Sequence, residues 1–304
     1  MRIGAHVSAV GGVWNAPANA AKQKLDTFQI FSRPPQGGPA PKIGDEEVKK
    51  FKTEMEKNGF EDFVIHAPYY TNLGSADNRI YYGTISVLRQ ELERGSMLGA
   101  SYVMFHPGSF AALGQKKGMK QAIEGIKKFL DGYKGQTQLL LEISAGAGSI
   151  CGDTFEELAE MLQGNEKYLG KSLGGICFDT QHAFASGYDL RTEGSVKKVF
   201  TQFDKIIGLE YLKLIHANDS KVDLGKRSDR HEHIGDGKIG MEGFTALAKF
   251  TTSQVGNKQV GNKRRTLSLP NLKNLAWILE TKDEKRKQDV QILREIQAEY
   301  QSNS

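Results

Sequence analysis

GICFDTQH, residues 175–182, is a short apolar run that stops on a carboxylate, Asp179, and meets an imidazole, His182, three residues further on. A buried strand that closes on a charged side chain is costly unless that group has a partner or a task. The same construction recurs along the chain. FVIH (63–66), YVMFH (102–106), LLLE (139–142), YLKLIH (211–216) and WILE (277–280) close on His66, His106, Glu142, His216 and Glu280. RIGAH (2–6) and TFQIF (27–31) read as two more strands, the first ending on His6. Each run is short, apolar and rich in branched or aromatic residues, which suits a strand buried on both faces.

Segments with helical spacing separate these runs, notably 45–57, 78–98, 118–131 and 154–169. In the second, Ile80, Ile85, Val87, Leu88 and Leu92 supply the expected buried stripe. Thr154 followed by Glu157 has the form of a capping box. Strand alternating with helix implies a parallel sheet. Most strand ends lie 35–40 residues apart, room for one β/α unit and a working loop. Eight such units predict an α/β fold, a closed (β/α)8 barrel forming a single domain over 1–304, with an open doubly wound sheet as the alternative. The last interval, 64 residues from 216 to 280, holds a polar stretch at about 251–274 in which QVGNK occurs twice, at 254–258 and 259–263. It reads as a mobile insertion. Its Lys258, Lys263, Arg264 and Arg265 read first as a solvated cluster and second as a phosphate contact.

Composition sets bounds on function. A chain of 304 residues, 38% hydrophobic and 25% charged, is expected to be soluble and globular. No apolar run approaches the ~20 residues needed to span a bilayer. The opening MRIGAHVSAVGG lacks the form of a signal peptide. Two cysteines, Cys151 and Cys177, cannot build a disulfide framework, which points to a reducing, cytoplasmic compartment. The net charge of +5 permits an anionic partner without demanding one.

In a β/α barrel the carboxyl ends of all strands open on one mouth, so residues remote in sequence converge there. Two local pairs add to the strand-end residues. Asp179 and His182 share FDTQH, and Asp229 and His231 stand two apart in SDRHEH, where an extended segment points both the same way. The candidates are then five histidines (His66, His106, His182, His216, His231) and four carboxylates (Glu142, Asp179, Asp229, Glu280). Such a set suits zinc, manganese or iron. A catalytic zinc takes about three protein ligands and keeps a position open, so the set suggests two or three ions. With three divalent ions the carboxylates leave two positive charges over, enough for a hydroxide and a phosphate, which fits hydrolysis of a phosphodiester. His6 reads as structural, and His233 competes with His231 for the ligand role. No Gly-x-Ser-x-Gly elbow or phosphate-binding P-loop occurs, and neither cysteine has an activating histidine nearby in sequence. SAGAGS (144–149) can cradle a phosphate or simply turn the chain.

GAHVSAVGG (4–12), HAPYYTNLGS (66–75), HPGS (106–109), LEISAGAGS (141–149), FDTQHAFASGYDLRTE (178–193), IHANDSK (215–221) and DRHEHIGDGKIG (229–240) together resemble the endonuclease IV family of metal-dependent apurinic/apyrimidinic-site nucleases. The likeness runs in order to about residue 250 and resumes at ILET (278–281). It implies a TIM barrel of the xylose-isomerase-like superfamily with a trinuclear zinc centre, manganese or iron also suiting one or more sites. It implies a partner, double-stranded DNA containing abasic sites, cut on the 5′ side of the lesion to leave a 3′-hydroxyl, with cleaning of blocked 3′ ends besides. A monomer without membrane attachment is expected.

By matching motifs, His66, His106 and Glu142 would hold one ion. Asp179, His216 and Glu280 would hold a second with Glu142 bridging, and His182, Asp229 and His231 a third. Glu142 and Glu280 would be the catalytic carboxylates, with a hydroxide between the first two ions as nucleophile. Tyr69 would enter the DNA near the lesion, and Gln36 would touch it from the next loop. The chain departs from the family pattern in several places. Gly37 and Gly38 follow Gln36 where a bulky wedge or an arginine is usual. Ile143 replaces a polar residue, Gln181 a cysteine, and Lys282 a proline. The competing readings are a metal-dependent sugar isomerase or epimerase on the same barrel, and a lesion-binding protein that keeps its metal for structure. The epimerase needs fewer ligands, and the binding protein predicts a lost one.

Overall fold

The computed structural model describes residues 1–253, 257–259, 266–268 and 272–301, with side chains described for 1–252 and 272–300. The eight runs read as strands form a closed parallel barrel in chain order. They are β1 (Arg2–His6), β2 (Thr27–Ile30), β3 (Val64–His66), β4 (Tyr102–Phe105), β5 (Gln138–Glu142), β6 (Leu173–Asp179), β7 (Leu212–His216) and β8 (Ala276–Leu279). β8 closes the ring on β1 through Arg2 opposite Ala276 and Ile3 opposite Trp277. The surrounding helices are α1 (Ala16–Lys22), α2 (Asp45–Lys57), α3 (Asn78–Leu98), α4 (Gln115–Leu130), α5 (Phe155–Gln163), α6 (Thr180–Ala185), α7 (Glu193–Ile206), α8 (Gly240–Ser253) and α9 (Arg286–Gln301). The doubly wound alternative is thereby excluded.

Two apolar layers reflect the two faces of every strand. Val64, Met104, Leu140, Cys177, Leu214, Ala276 and Ile278 pack together inside the barrel. Their neighbours in sequence, among them Ile65, Val103, Leu141, Phe178, Ile215 and Trp277, pack outward against the helices. Full burial of such side chains contributes about 1.5–3 kcal/mol each. Because the side-chain period in a strand is two, the residue two places beyond each inward apolar side chain also faces inward. Those residues are His66, His106, Glu142, Asp179, His216 and Glu280. One register rule therefore fills the barrel with hydrocarbon and places six polar groups at its mouth.

One glycine is required inside this wall. Gly175 in β6 has φ +147°, and a Cβ there would lie 2.2 Å from the Tyr211 carbonyl oxygen. The irregular register between β6 and β7 falls beside it, at Ile176 and Cys177.

Local readings differ in places. Ile80 is exposed, and the buried stripe of α3 is Tyr81, Thr84, Leu88, Leu92, Gly95 and Leu98. The residues before Ile80 cap the helix, with Asp77 accepting from the Arg79 amide at 2.7 Å, so the first turn points away from the core. α4 starts at Gln115, three residues earlier than its spacing suggests. The helix expected over 154–169 stops at Gln163, and a single 3-10 turn follows at Glu166–Tyr168. Of the 251–274 stretch, the first residues end α8, and Asn257–Gln259 pairs antiparallel with Thr266–Ser268. The expected mobility and the Lys258, Lys263, Arg264 and Arg265 cluster lie outside the described residues and side chains.

Candidate metal centre

The barrel mouth brings all nine candidate side chains into one cluster. At its floor Glu142 and His216 are fully buried, with Nδ1 of His216 2.8 Å from Oε1 of Glu142 and 3.1 Å from Oε2 of Glu280. Asp179 Oδ2 stands 3.8 Å from the same nitrogen. On one side His106 Nε2 and His66 Nε2 approach Glu142 Oε2 at 3.2 and 3.7 Å. On the other, the Nε2 atoms of His182 and His231 lie 3.4 Å apart. Asp229 reaches both, its oxygens 3.4 Å from His182 and 3.3 Å from His231. Among the described residues, four overlapping groups have donor atoms close enough to share a cation: His66–His106–Glu142, Glu142–Asp179–His216–Glu280, Asp179–His182–His231, and Glu142–Cys177–His216.

The donor chemistry fits divalent cations. Glu142 Oε2 is buried and has no hydrogen-bond partner, yet two imidazole nitrogens face it. A buried carboxylate oxygen without a hydrogen-bond partner, faced by imidazole nitrogens, is a donor set that suits a divalent cation. The protonation pattern agrees. Burial pushes Glu142 up to about 7 against the pull of His216. Burial drives His66 down to about 4 and His106 well below the usual range. Burial also opposes charge on His182, but Asp179, Asp229 and Glu142 overcome it and hold the ring protonated up to about 10. His216 is likewise raised, burial being outweighed by Cys177, Glu280 and Glu142. The carboxylates thus demand positive charge at the centre, and protons supply it where a metal would.

Several imidazoles have one nitrogen pinned, which aims the other. His66 Nδ1 donates to the Ala67 carbonyl at 2.5 Å, His182 Nδ1 to the Ile143 carbonyl at 3.0 Å, and His216 Nε2 to Oε1 of Gln29 at 2.8 Å. Such outer partners fix tautomer and ring orientation at metal sites. The role of Ile143 in this is carried by its backbone, so the apolar side chain at that position costs the contact nothing. Gln181 is buried and donates to the Ser228 carbonyl at 3.0 Å, bracing the loop that leads to Asp229.

Exposure grades across the centre. The side chains of Glu142, Asp179 and His216 are 0% exposed, His231 and His106 are 21% and 26%, and Asp229 is 60%. The approach is therefore from the side of Asp229 and His231. A cavity of about 380 Å³ opens there, lined by Asp229, His231 and Glu280 together with Lys221, Arg230 and Lys282. Tyr69 stands at the rim, 59% exposed, its ring edge-on to Phe31 and His66 at 5.3 and 5.1 Å. Its amide donates to the Pro35 carbonyl at 3.1 Å, which joins the loop after β3 to the loop carrying Gln36. Gln36 lies on that loop and is exposed. The two glycines after it have φ +114° and +112°, a conformation that excludes a bulky wedge there.

Sequence reasoning left two questions and missed three residues. His233 is tied to Asp289 at 2.8 Å, away from the cluster, whereas His231 faces it. His6 packs on Phe31 with ring centroids 4.3 Å apart, and burial drops it to about 3. The missed residues are Gln29, Asn218 and Asp219. Asn218 donates to Asp179 Oδ2 at 2.7 Å and accepts from the Glu280 amide at 2.9 Å. Asp219 is buried and accepts from the amides of Ser220, Gly235, Gly237, Ile239 and Gly240. It gathers the loop that follows Asp229 and His231. The signal for Gln29 was a polar amide in the middle of an otherwise apolar strand.

Residues 17–252 match the family model described as Xylose isomerase-like TIM barrel. The chain is 38% identical over 247 residues to a probable endonuclease 4 of Halothermothrix orenii, covering 81% of this chain and 88% of that one. It is 36% identical over 259 residues to a probable endonuclease 4 of Nitrosopumilus maritimus, covering 84% and 90%. The chain belongs to the endonuclease 4 family. The structure agrees with this family, since endonuclease IV from Thermus thermophilus superposes with a TM-score of 0.79 at 32% identity, covering 100% of both chains. A D-tagatose 3-epimerase-like protein superposes with a TM-score of 0.71 at 19% identity, covering 100% of this chain and 99% of that one, a likeness of fold alone. Among the described residues of this endonuclease 4 relative, no helix is long and apolar enough to cross a membrane.

Proposed function

We propose that the chain is a metal-dependent DNA-repair endonuclease that hydrolyses the phosphodiester on the 5′ side of an abasic site in double-stranded DNA. The observation that carries this reading is the convergence of five imidazoles and four carboxylates on one barrel mouth in a member of the endonuclease 4 family. His66, His106 and Glu142 would hold one zinc, Glu142, Asp179, His216 and Glu280 a second, and His182, Asp229 and His231 a third. Manganese or iron would also suit one or more of these positions. Divalent ions there supply Lewis acidity, which activates water and neutralises phosphate charge.

The remaining work falls to the chain itself. The buried floor of Glu142, Asp179 and His216 keeps bulk water from the inner side of the centre. Glu142 and Glu280 are the proposed catalytic carboxylates and would hold the ions that meet the reacting phosphate. Lys221, Arg230 and Lys282 stand on the way in, interleaved with Glu232 and Glu284, and are the proposed phosphate contacts there. An abasic nucleotide lacks a base to hold it in the stack, so it reaches a recessed mouth more cheaply than an intact one. Tyr69 and Gln36 are the proposed DNA contacts on the rim. Removal of blocking groups from 3′ ends is the same ester hydrolysis at a strand terminus, and we assign it to this centre as well. The protein is proposed to act as a cytoplasmic monomer.

The test is a duplex with one abasic analogue, labelled in turn at each end, beside the same duplex intact and a ketohexose mixture. Incision confined to the 5′ side of the lesion, leaving a 3′-hydroxyl, is the expected result. Epimerised sugar with uncut DNA would replace this reading with the epimerase one.

A further inference from the structure

Gln29 stands in the middle of β2, faces the barrel interior and is 0% exposed. A primary amide so placed is tolerated only when its hydrogen bonds are made. Gln29 uses its oxygen and both amide hydrogens. Oε1 lies 2.8 Å from His216 Nε2, while Nε2 donates to Glu280 Oε1 at 2.7 Å and approaches His6 Nδ1 at 3.1 Å. The orientation of the amide is forced. Reversed, it would set its carbonyl oxygen against the Glu280 carboxylate and point N–H groups at His216. With the oxygen toward His216, the imidazole must carry its proton on Nε2.

We infer that Gln29 is a positioning residue of the metal centre: it selects the His216 tautomer that presents Nδ1 to Glu142, Asp179 and Glu280, and it holds Glu280 in the rotamer that shares the same ion. This rests on reading the cluster as a metal centre. Gln29 itself touches no proposed ion or substrate and acts through His216 and Glu280. His6, whose Nδ1 accepts the second amide hydrogen, completes the setting of the amide. The inference gives a role to a side chain 187 residues from His216 in sequence and on a strand that supplies no proposed metal ligand.

The test uses the full chain and two variants. Gln29→Met keeps length and apolar volume and removes all three hydrogen bonds. Gln29→Glu keeps an acceptor toward His216 and loses the donor toward Glu280. Each is stripped of metal and titrated with zinc against a chromophoric chelator, then loaded with cobalt(II) for its visible absorption. Circular dichroism and the melting temperature of the metal-free forms report folding. Gln29→Met should fold like the parent and bind its weakest equivalent about 10–100-fold more loosely, the range usual for an outer partner. Its cobalt spectrum should change for that equivalent. Gln29→Glu restores the acceptor toward His216 but sets its second oxygen against the Glu280 carboxylate, so it should still bind that equivalent more loosely than the parent. A Gln29→Met variant that titrates and absorbs like the parent overturns the inference. If Gln29→Met fails to fold, Gln29→Glu decides, since weaker zinc binding than the parent's at the weakest equivalent supports the inference and binding as tight as the parent's overturns it. A parent that takes up no divalent metal at all removes the metal-centre reading itself, a failure visible before any variant is made.

Discussion

At the scale of single residues, the centre is governed by charge that has been removed from water. Glu142 is the plainest case, with one oxygen bonded to His216 and the other orphaned between His66 and His106. Glu142→Gln should lower cleavage on the order of 100-fold or more while DNA binding survives, because the proposed ligand is lost and the surrounding fold is kept. A steady-state cleavage assay beside a gel-shift titration checks this, and normal cleavage would contradict it. The protonation pattern makes a second prediction. In the metal-free protein His182 and His216 stand above the ordinary value of 6.5, His182 at about 10. A raised histidine contributes stability that is complete below 6.5 and is lost as pH climbs through the folded value. Glu142, raised to about 7, changes in the same sense over the lower part of that window, and His66 and His106 are already neutral there. The melting temperature of chelator-treated protein should therefore fall between pH 6.5 and about 10, and zinc should abolish the fall because metal replaces those protons. A melting temperature that rises across the window without metal would contradict the pattern. The nine side chains were legible in sequence because most of them end apolar runs at evident cost. Gln29 and Asn218 were not singled out, since neither ends a run and a buried neutral amide costs less than a buried charge.

At the scale of elements, strands were easier to read than the details of helices. A strand is fixed by a few apolar residues and its period of two, and the two layers seen here follow from that period. The reading of these strands as uniformly buried was correct but concealed which face was which. The stripe in α3 was misplaced at Ile80 because hydrophobicity alone does not tell where a capped first turn points. At α5 the Thr154 hydroxyl does accept from the Glu157 amide, at 3.2 Å. The Glu157 carboxylate instead takes the Gly152 amide at 2.6 Å, so half of the expected capping box is present. Asp219 shows what pattern reading misses at this scale. Its value lies in four backbone amides of one loop, with that of the adjacent Ser220, and backbone amides leave no mark in a sequence. Asp219→Ala should destabilise the protein on the order of 3 kcal/mol by leaving those amides unpaired. It should also weaken metal binding at the His182, Asp229 and His231 position more than elsewhere. Urea unfolding and zinc titration measure the two effects, and an unchanged zinc titration would contradict the link.

For the whole molecule, a net charge of +5 matters through its placement. Lys221, Arg230 and Lys282 share one cavity with Asp229, His231, Glu232, Glu280 and Glu284, so cationic and acidic side chains alternate where a phosphate would enter, and Lys221 is itself paired with Glu232 at 3.8 Å. Replacing Arg230 and Lys282 with alanine should weaken binding to abasic and intact duplex alike and reduce the salt dependence of binding by about one unit of slope per lost phosphate contact. Tyr69→Ala should instead penalise abasic DNA selectively, by about 1–3 kcal/mol if the ring stacks beside the lesion. Fluorescence anisotropy over a range of salt concentrations separates the two. Equal loss on both duplexes for Tyr69→Ala would remove it from lesion recognition. The barrel was legible because eight run-and-gap units add up to it, and the mouth was legible because barrel geometry gathers strand ends. The reading of the lesion was less so, since Gln36, Gly37 and Gly38 shape a loop whose contacts depend on a partner.

On this reading the barrel mouth holds catalytic metal and cuts DNA at abasic sites. The most direct measurement strips the protein with a chelator, returns zinc in steps, and follows bound metal and abasic-duplex incision on the same samples. Incision should be absent after stripping, while the fold persists, and should return only as the cluster fills, always on the 5′ side of the lesion. Undiminished incision by the stripped protein, or none by the fully loaded one, would contradict the account.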